Sequence, residues 1–405
     1  MPPHVAVVGG GAVGVTTAGD LAARGADVTL FERETVASGS SGRAAGVLYD
    51  AYAEDVDAEL AARSMERFRD LAGPGPEGFS FSECPYVIAV REGDETAEAL
   101  PATVERMRTH DRAVSLVAPE ELADAFPLET DDLAAAAVAE NAGYVDPAAY
   151  TEAMASRARE LGVEIREGTP VGLPRTDFSE TADGPALLIG DDKDGGDRDD
   201  PDRERFDAVV VAAGAHTKRL FAAAGRPLAI KPYRVQALTS AAPYDGPMVY
   251  DATAGVYFRP HPTGLLGGDG TEPVEADPDT YDRIGDDWFV DNVAAALRER
   301  AEYAVDPERA WAGLCTATPD GDPLLGEVEP GLFVAAGWQG HGFMRAPAHA
   351  EALAEMALER AERGLPSSAA DAEDSLDAAI APFDPTRFSG AEEFEIAEGM
   401  SVENR

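Results

Sequence analysis

Three glycines near the N-terminus, Gly9-x-Gly11-x-x-Gly14, answered by Glu32, constrain this chain more than any other feature. Residues 5–8 just before them are a short apolar run of the kind that forms a buried parallel strand. A helical run to Arg24 follows, and residues 28–31 are a second apolar run that ends at Glu32. In such a unit the first glycine allows a tight turn. The second lets the backbone approach a pyrophosphate, and the third lets helix and strand pack closely. The helix N-terminus, around Ala12 and Val13, offers free N–H groups and a positive dipole end to the same anion. A carboxylate at Glu32 can accept both ribose hydroxyls of an adenosine. Strand before, helix after and an acid about twenty residues on separate a nucleotide site from an ordinary glycine-rich turn. The unit therefore predicts a Rossmann-like strand–helix–strand that binds an adenine dinucleotide, without saying which one.

Charge excludes several partners. The chain carries 33 basic against 76 acidic residues, a net charge of -43, and its lysines are Lys193, Lys218 and Lys231 alone. Such a surface repels nucleic acid and anionic membranes. At ordinary ionic strength it also repels itself, a penalty that molar salt removes. The composition resembles that of proteins from a salt-loaded halophile cytoplasm. The alternative is an acidic docking surface for a basic partner, but the acid is spread along the whole chain rather than gathered in a tail. No segment reaches membrane-spanning length. The first strand begins within a few residues of Met1, so no signal peptide and a cytoplasmic location are expected. Cys84 and Cys315 are far apart and the six histidines lack ligand spacing, so neither a disulfide framework nor a metal site is predicted.

Nucleotide-domain character recurs along the chain. A glycine- and serine-rich loop occupies residues 37–46, and a strand is expected near 86–90. Asp146 followed by Pro147 is an N-cap and first-turn pair opening a helix to Leu161, and 163–166 reads as a strand. Residues 191–205 read as a solvated acidic loop. Residues 206–215 form a buried parallel strand ending in small residues, Ala213 and Gly214 among them, that let a cofactor lie close. Residues 235–239, 255–259 and 264–268 read as antiparallel strands, and 287–304 as helix. Residues 332–336 are the last parallel strand; the loop 337–342 then opens a helix to Gly364. The predicted fold is α/β (α+β overall). A discontinuous dinucleotide-binding domain comprises 1–50, 140–225 and 311–365. The inserts 51–139 and 226–310 build a mainly antiparallel substrate-binding domain, and 366–405 is an acidic tail in which 384–388 is suited to docking.

The four recurring segments together resemble the FAD-dependent D-amino-acid oxidase superfamily, nearest its sarcosine oxidase β-subunit and dimethylglycine dehydrogenase branch. They are the Gly9–Glu32 unit, the loop Gly39-Ser-Ser-Gly-Arg-Ala-Ala-Gly46, the strand ending at Ala215, and the pair Trp311–Gly326 and Gly337-Trp-Gln-Gly-His-Gly-Phe-Met344. The resemblance implies FAD. It places Arg33, Ser40, Ser41, Arg43, Ala44, Ala45 and Gly46 along the pyrophosphate and ribityl chain. Ser40 and Ser41 can equally be plain turn residues. It places Gly337, Gln339, Gly340, His341, Gly342, Phe343 and Met344 beside the flavin ring, where amides can stabilise the charge of the reduced ring. His341 is a candidate general base or a structural, flavin-contacting residue.

The implied reaction is oxidation of the C–N bond of a small amino acid or N-methyl amino acid by hydride transfer to flavin N5. A carboxylate substrate needs a cation. Related branches place an arginine where this chain has Cys315, or a lysine where it has Met344, so the carboxylate falls to Arg345, then Arg259, then Arg43. Tyr257 lines the expected pocket, and Tyr233 is either a lining or a core aromatic. Covalent relatives attach the flavin through a cysteine aligned with Gly313, so noncovalent FAD is expected here. Leu266 stands near an oxygen-activating lysine of those enzymes, which favours a dehydrogenase over an oxidase. Two alternatives remain: a flavoenzyme for hydroxy acids, and a flavin-bearing subunit of a larger hetero-oligomer.

Overall fold

The computed structural model describes residues 1–73, 78–175, 184–190, 202–363 and 380–397. His4–Val8 lies near the middle of a six-stranded sheet, paired in parallel with Asp27–Phe31 on one side and Ala208–Val211 on the other. Val5, Ala6 and Val7 are fully buried, as are all four residues of Ala208–Val211. Apolar runs without alternation are what a parallel strand covered on both faces requires. The sheet order among the described residues is Leu324–Glu329, Leu332–Ala336, Ala208–Val211, His4–Val8, Asp27–Phe31, Glu164–Arg166. Five strands run in parallel; Leu324–Glu329 pairs antiparallel at one edge.

The helix Ala12–Ala23 starts at Gly11, which offers no side-chain cap, and ends before Gly25 at φ +96°. It packs on Pro147–Glu160 and on the long helix Gly342–Arg363. Small residues allow the first approach: a Cβ on Gly19 would stand 3.8 Å from that of Ala158. Asp146 caps Pro147–Glu160 as expected, accepting from the amides of Ala148 and Ala149 at 2.9 and 3.1 Å.

An eight-stranded sheet stands beside this layer. Its order is Pro307–Ala317, Lys231–Ser240, Gly264–Glu275, Val256–His261, Met248–Asp251, Tyr86–Arg91, Leu133–Ala139, Val114–Val117. It is antiparallel except where Met248–Asp251 meets Tyr86–Arg91. The register pairs Ala237 with Trp311, Val235 with Gly313 and Tyr233 with Cys315. Directly opposed residues share a face, and this face is turned to a large cavity.

Three sequence expectations change. Residues 311–317, grouped above with the dinucleotide-binding segments, form part of a long strand of the second sheet. Of the acidic segment 191–205, residues 191–201 lie outside the described residues. Asp202–Arg205 is a strand, because its backbone completes a ladder with the apolar run Ala186–Ile189 and Glu204 takes Arg166 at 2.8 Å. The strand expected over 206–215 is shorter, Ala208–Val211, and gives way to a 3₁₀ turn at Gly214–His216. Of the acidic tail, residues 380–397 are described. Arg387 docks on Asp320 at 2.8 Å, and Ile396 packs against Tyr233 and Ala317. Among the described residues, no helix is long and apolar enough to cross a membrane.

Candidate active site

The glycine turn opens onto a cavity of about 1010 Å³ that reaches the face of Pro307–Ala317 and the loop after Ala336. Its wall includes Gly9, Gly11, Ala12, Val13, Glu32, Arg33, Ser40, Ser41, Arg43, Ala44, Ala45, Gly46, Ala213 and Gly214. It continues with Tyr233, Tyr257, Cys315, Gln339, Gly340, Gly342, Phe343 and Met344. Five of the sequence-predicted residues lie outside it: Gly14, Gly337, His341, Arg345 and Arg259.

The glycines show why no other residue fits the turn. Gly9 has φ +114°, and a Cβ there would stand 2.4 Å from the Ala212 carbonyl oxygen. A Cβ on Gly14 would stand 2.0 Å from the Gly9 carbonyl oxygen. Gly14 therefore serves the site through packing rather than contact. Glu32 accepts from the Gly10 amide at 2.7 Å through Oε2 and from the Glu34 amide at 2.8 Å through Oε1. Those bonds fix the carboxylate at the cavity wall and leave each oxygen a further lone pair for a hydroxyl. Ser41 Oγ accepts from the Ala12 amide at 2.9 Å, and its proton is free to be donated. Ser40 Oγ instead donates to the Leu314 carbonyl at 2.6 Å, and Trp311 Nε1 donates to the Arg43 carbonyl at 3.1 Å. The serine–glycine loop is thereby stapled to the second sheet.

Across the cavity, Arg33 is engaged by Asp279 at 3.0 Å. His216 and Arg219 meet the same carboxylate. Nothing in the sequence signals that Asp279 belongs here.

The loop after Ala336 turns on positive φ angles at Gly337 (+94°), Gln339 (+50°) and Gly340 (+93°). Gly337 N–H donates to Thr316 Oγ1 and Gln339 N–H to the Thr316 carbonyl, at 3.0 and 2.8 Å. Gln339 Nε2 donates to the Ala397 carbonyl at 2.8 Å, while its Oε1 is buried with no described partner. An unpartnered acceptor on a cavity wall fits a ligand that brings an N–H. The turn carries His341 away from the cavity, edge-on to Tyr52 at 6.0 Å, so a general-base role gains no geometric support. Trp338, which sequence reasoning passed over although it is the loop's aromatic, lines the cavity. Its Nε1 donates to Nδ1 of the fully buried His349 at 2.6 Å. Burial, then the Arg345 charge, hold His349 well below the usual imidazole range, so it stays neutral.

The two leading carboxylate-binding candidates are engaged elsewhere. Arg345 is buried, 2.7 Å from Asp57 Oδ1 and 4.6 Å from the Tyr52 ring centre. Arg259 lies behind the serine–glycine loop. It donates to the Ala45 carbonyl at 2.6 Å and covers the Tyr144 ring at 4.8 Å, and burial pushes its pKa down to about 10. Tyr257 does face the cavity, its ring folded over Gly268, where a Cβ would come within 2.0 Å of the phenol. Cys315 lines the cavity; burial pushes its thiol up to about 12, so it stays protonated. Among the described residues, no group of three or more His, Cys, Asp or Glu side chains could hold a metal ion.

In the segment beside Gly337, burial and the neighbouring Asp57 and Asp320 carboxylates push Asp322 up to about 6. An unfolded aspartate titrates near about 4. The folded state thus favours the protonated form, and this group's contribution to stability is lost as pH rises from about 4 through about 6. Asp322→Asn should therefore melt above the unaltered protein at pH 7 and lose that advantage by pH 4.5. Melting curves across that range check it; a constant difference would be against it.

The sequence pattern of the FAD dependent oxidoreductase family matches residues 4–356. The chain is a member of that family. FAD is its cofactor, and the glycine turn, the placed Glu32 carboxylate and the orphaned Gln339 oxygen fit a dinucleotide spanning the cavity. This flavoprotein is 29% identical over 398 residues to 4-methylaminobutanoate oxidase (formaldehyde-forming) of Paenarthrobacter nicotinovorans, covering 92% of this chain but 46% of that protein. It is 29% identical to glycine oxidase of Geobacillus kaustophilus, with 95% and 97% of the two chains covered. The crystal structure of L-proline dehydrogenase from P. horikoshii superposes with a TM-score of 0.74 at 28% identity, covering 90% of this chain and 99% of the other.

Proposed function

We propose that this flavoprotein oxidises the C–N bond of a small amino acid or N-methyl amino acid. The relatives' activities on amines and amino acids support the substrate class. The observation that carries the reading is the cavity's continuity from Glu32 to the wall made by Tyr233, Tyr257 and Cys315. Bound FAD supplies a two-electron acceptor. The substrate loses a hydride from its α-carbon, and the resulting iminium is hydrolysed to a carbonyl compound and an amine. Tyr233, Tyr257 and the protonated Cys315 give that wall an apolar body with hydroxyl and thiol tips. Such a wall suits a neutral amine, which can release hydride without a protein base. Ser41, the Ala12 and Val13 amides and Glu32 would hold the adenosine and pyrophosphate; the loop through Gly340, whose Gln339 and His341 amides are bonded to the Thr316 and Trp338 carbonyls, would line the electron-accepting end.

Anaerobic mixing of the flavin-loaded protein in molar salt with sarcosine, dimethylglycine, glycine, proline and D-alanine tests the proposal. Loss of absorbance near about 450 nm with at least one amine is expected. Bleaching by 2-hydroxyglutarate or glycerol 3-phosphate, with none by any amine, would replace it with the hydroxy-acid reading. We further propose that the FAD is noncovalent. Acid precipitation should then leave a colourless protein pellet and a yellow supernatant.

A further inference from the structure

The described C-terminal residues, 380–397, form no part of the cavity wall, yet they grip the loop after Ala336 from two sides. On one side, Arg387 binds Asp320 at 2.8 Å and donates to the Asp322 and Pro323 carbonyls at 2.8 and 3.0 Å. That turn abuts Gly337, where a Cβ would stand 2.5 Å from Thr318 Cγ2 and 3.6 Å from Pro323 Cα. On the other side, Gln339 Nε2 donates to the Ala397 carbonyl at 2.8 Å. Three further contacts fix the chain between these grips. Gly390 has φ +81°, and a Cβ there would stand 2.1 Å from the Pro227 carbonyl oxygen. Lys231 Nζ donates to the Phe394 carbonyl at 2.5 Å and stands 4.5 Å from that ring's centre. Ile396 is buried against Tyr233 and Ala317.

Gln339 is the informative residue. Its φ of +50° is a left-handed conformation, which costs a non-glycine residue energy and persists only where the surroundings hold it. The other positive φ angles of the loop fall on glycines, Gly337 and Gly340. Local backbone chemistry alone would favour glycine at 339 as well. Glutamine does there what glycine cannot: its amide reaches the C-terminal segment. Trp338, Gln339 and Gly340 all line the cavity. One side chain thus joins the cavity wall to a segment that is not part of it.

We propose that residues 387–397 brace the loop after Ala336, and that Gln339 is the positioning residue that couples flavin binding to the docking of this segment. Such coupling is reciprocal. Flavin that orders the loop strengthens docking, and docking strengthens flavin binding by the same factor. The inference needs FAD to bind and does not depend on which substrate is oxidised.

Chymotrypsin cleavage after Phe394, followed by mass spectrometry in molar salt, reads the undocked population. Saturating FAD should slow that cleavage about tenfold in the unaltered protein. Gln339→Gly relaxes the strained backbone but cuts the tether, so FAD should no longer slow cleavage there. In the reverse direction, Ile396→Ser loosens the segment without altering the cavity wall. It should weaken FAD about tenfold, the same coupling read from the other side, and Ile396→Val should bind FAD as the unaltered protein does. Lys231→Met, which removes the grip on Phe394, replaces Ile396→Ser if that variant does not fold. Equal protection by FAD in Gln339→Gly would mean that the ligand merely stabilises the whole fold, and would overturn the inference. So would cleavage indifferent to FAD in the unaltered protein, or undiminished FAD affinity in the folded Ile396→Ser or Lys231→Met protein. Flavin that no amine bleaches would reject the proposed function and leave the brace standing.

Discussion

Gly14→Ala protein should leave a desalting column without flavin. The added Cβ would stand 2.0 Å from the Gly9 carbonyl oxygen, a backbone atom that cannot swing aside. Either the helix Ala12–Ala23 moves off the strand His4–Val8 or the turn opens. Overpacking of this kind costs about 1–3 kcal/mol. The larger loss falls on the ligand. Ala12 and Val13 amides shift away from the pyrophosphate they would hold, and charge-assisted hydrogen bonds weaken steeply with misplacement. FAD affinity should fall on the order of 100-fold or more, nearly 3 kcal/mol of binding. The ratio of flavin to protein absorbance reads the loss directly. Melting with and without added FAD separates it from misfolding. A ligand that binds the folded state raises its melting temperature, so unaltered apoprotein should be stabilised by FAD and the variant should not. Stoichiometric flavin in purified Gly14→Ala would show that pyrophosphate binding does not depend on close packing at Gly14.

The second large effect concerns salt. We expect the melting temperature to fall by at least about 10 °C on dialysis from molar KCl to about 0.1 M, several kcal/mol for a chain of this size. Net charge of -43 spread over 17412 Å² of surface produces a repulsion that acts between distant groups. The Debye length shortens from about 10 Å at 0.1 M to about 3 Å at 1 M, which removes that repulsion. Favourable pairs act at contact. Arg67–Asp20 at 2.7 Å, Arg63–Glu351 at 2.8 Å and Arg345–Asp57 at 2.7 Å lie within even the shorter screening length. Salt thus subtracts the long-range penalty and spares the short-range gain. A melting temperature independent of KCl would show that the acidic surface is neutralised in another way, for example by a basic partner.

What the sequence disclosed is what local chemistry determines. Gly14 declares itself because Gly9, within the same strand–helix unit, demands it; Gly9 and Gly11, whose added Cβ atoms would meet distant Ala212 and Ser41, are legible only through their spacing. Asp146 is legible as Gly14 is: its cap lies two and three residues away. The state of the candidate cations is not legible in the sequence because it depends on distant residues. Arg345 is bound by Asp57, and Arg259 is spent on Ala45; neither spacing leaves a local mark. Asp202–Arg205 reads as loop by composition, yet backbone pairing with Ala186–Ile189 decides it. Tertiary ladders routinely override such local preferences.

The strand order has a consequence for synthesis. His4–Val8 is made long before Ala208–Val211, one of its two neighbours, and that strand in turn pairs with Leu332–Ala336. The glycine turn is written in the first fourteen residues but gains its full wall only when the loop after Ala336 has emerged. Chains stopped before residue 332 would present Val209, Val210 and Val211 as an unpaired apolar edge, a template for misassociation. Flavin capture should therefore come late in the life of the nascent chain, and a yellow product would certify that the glycine turn and the loop after Ala336 have met.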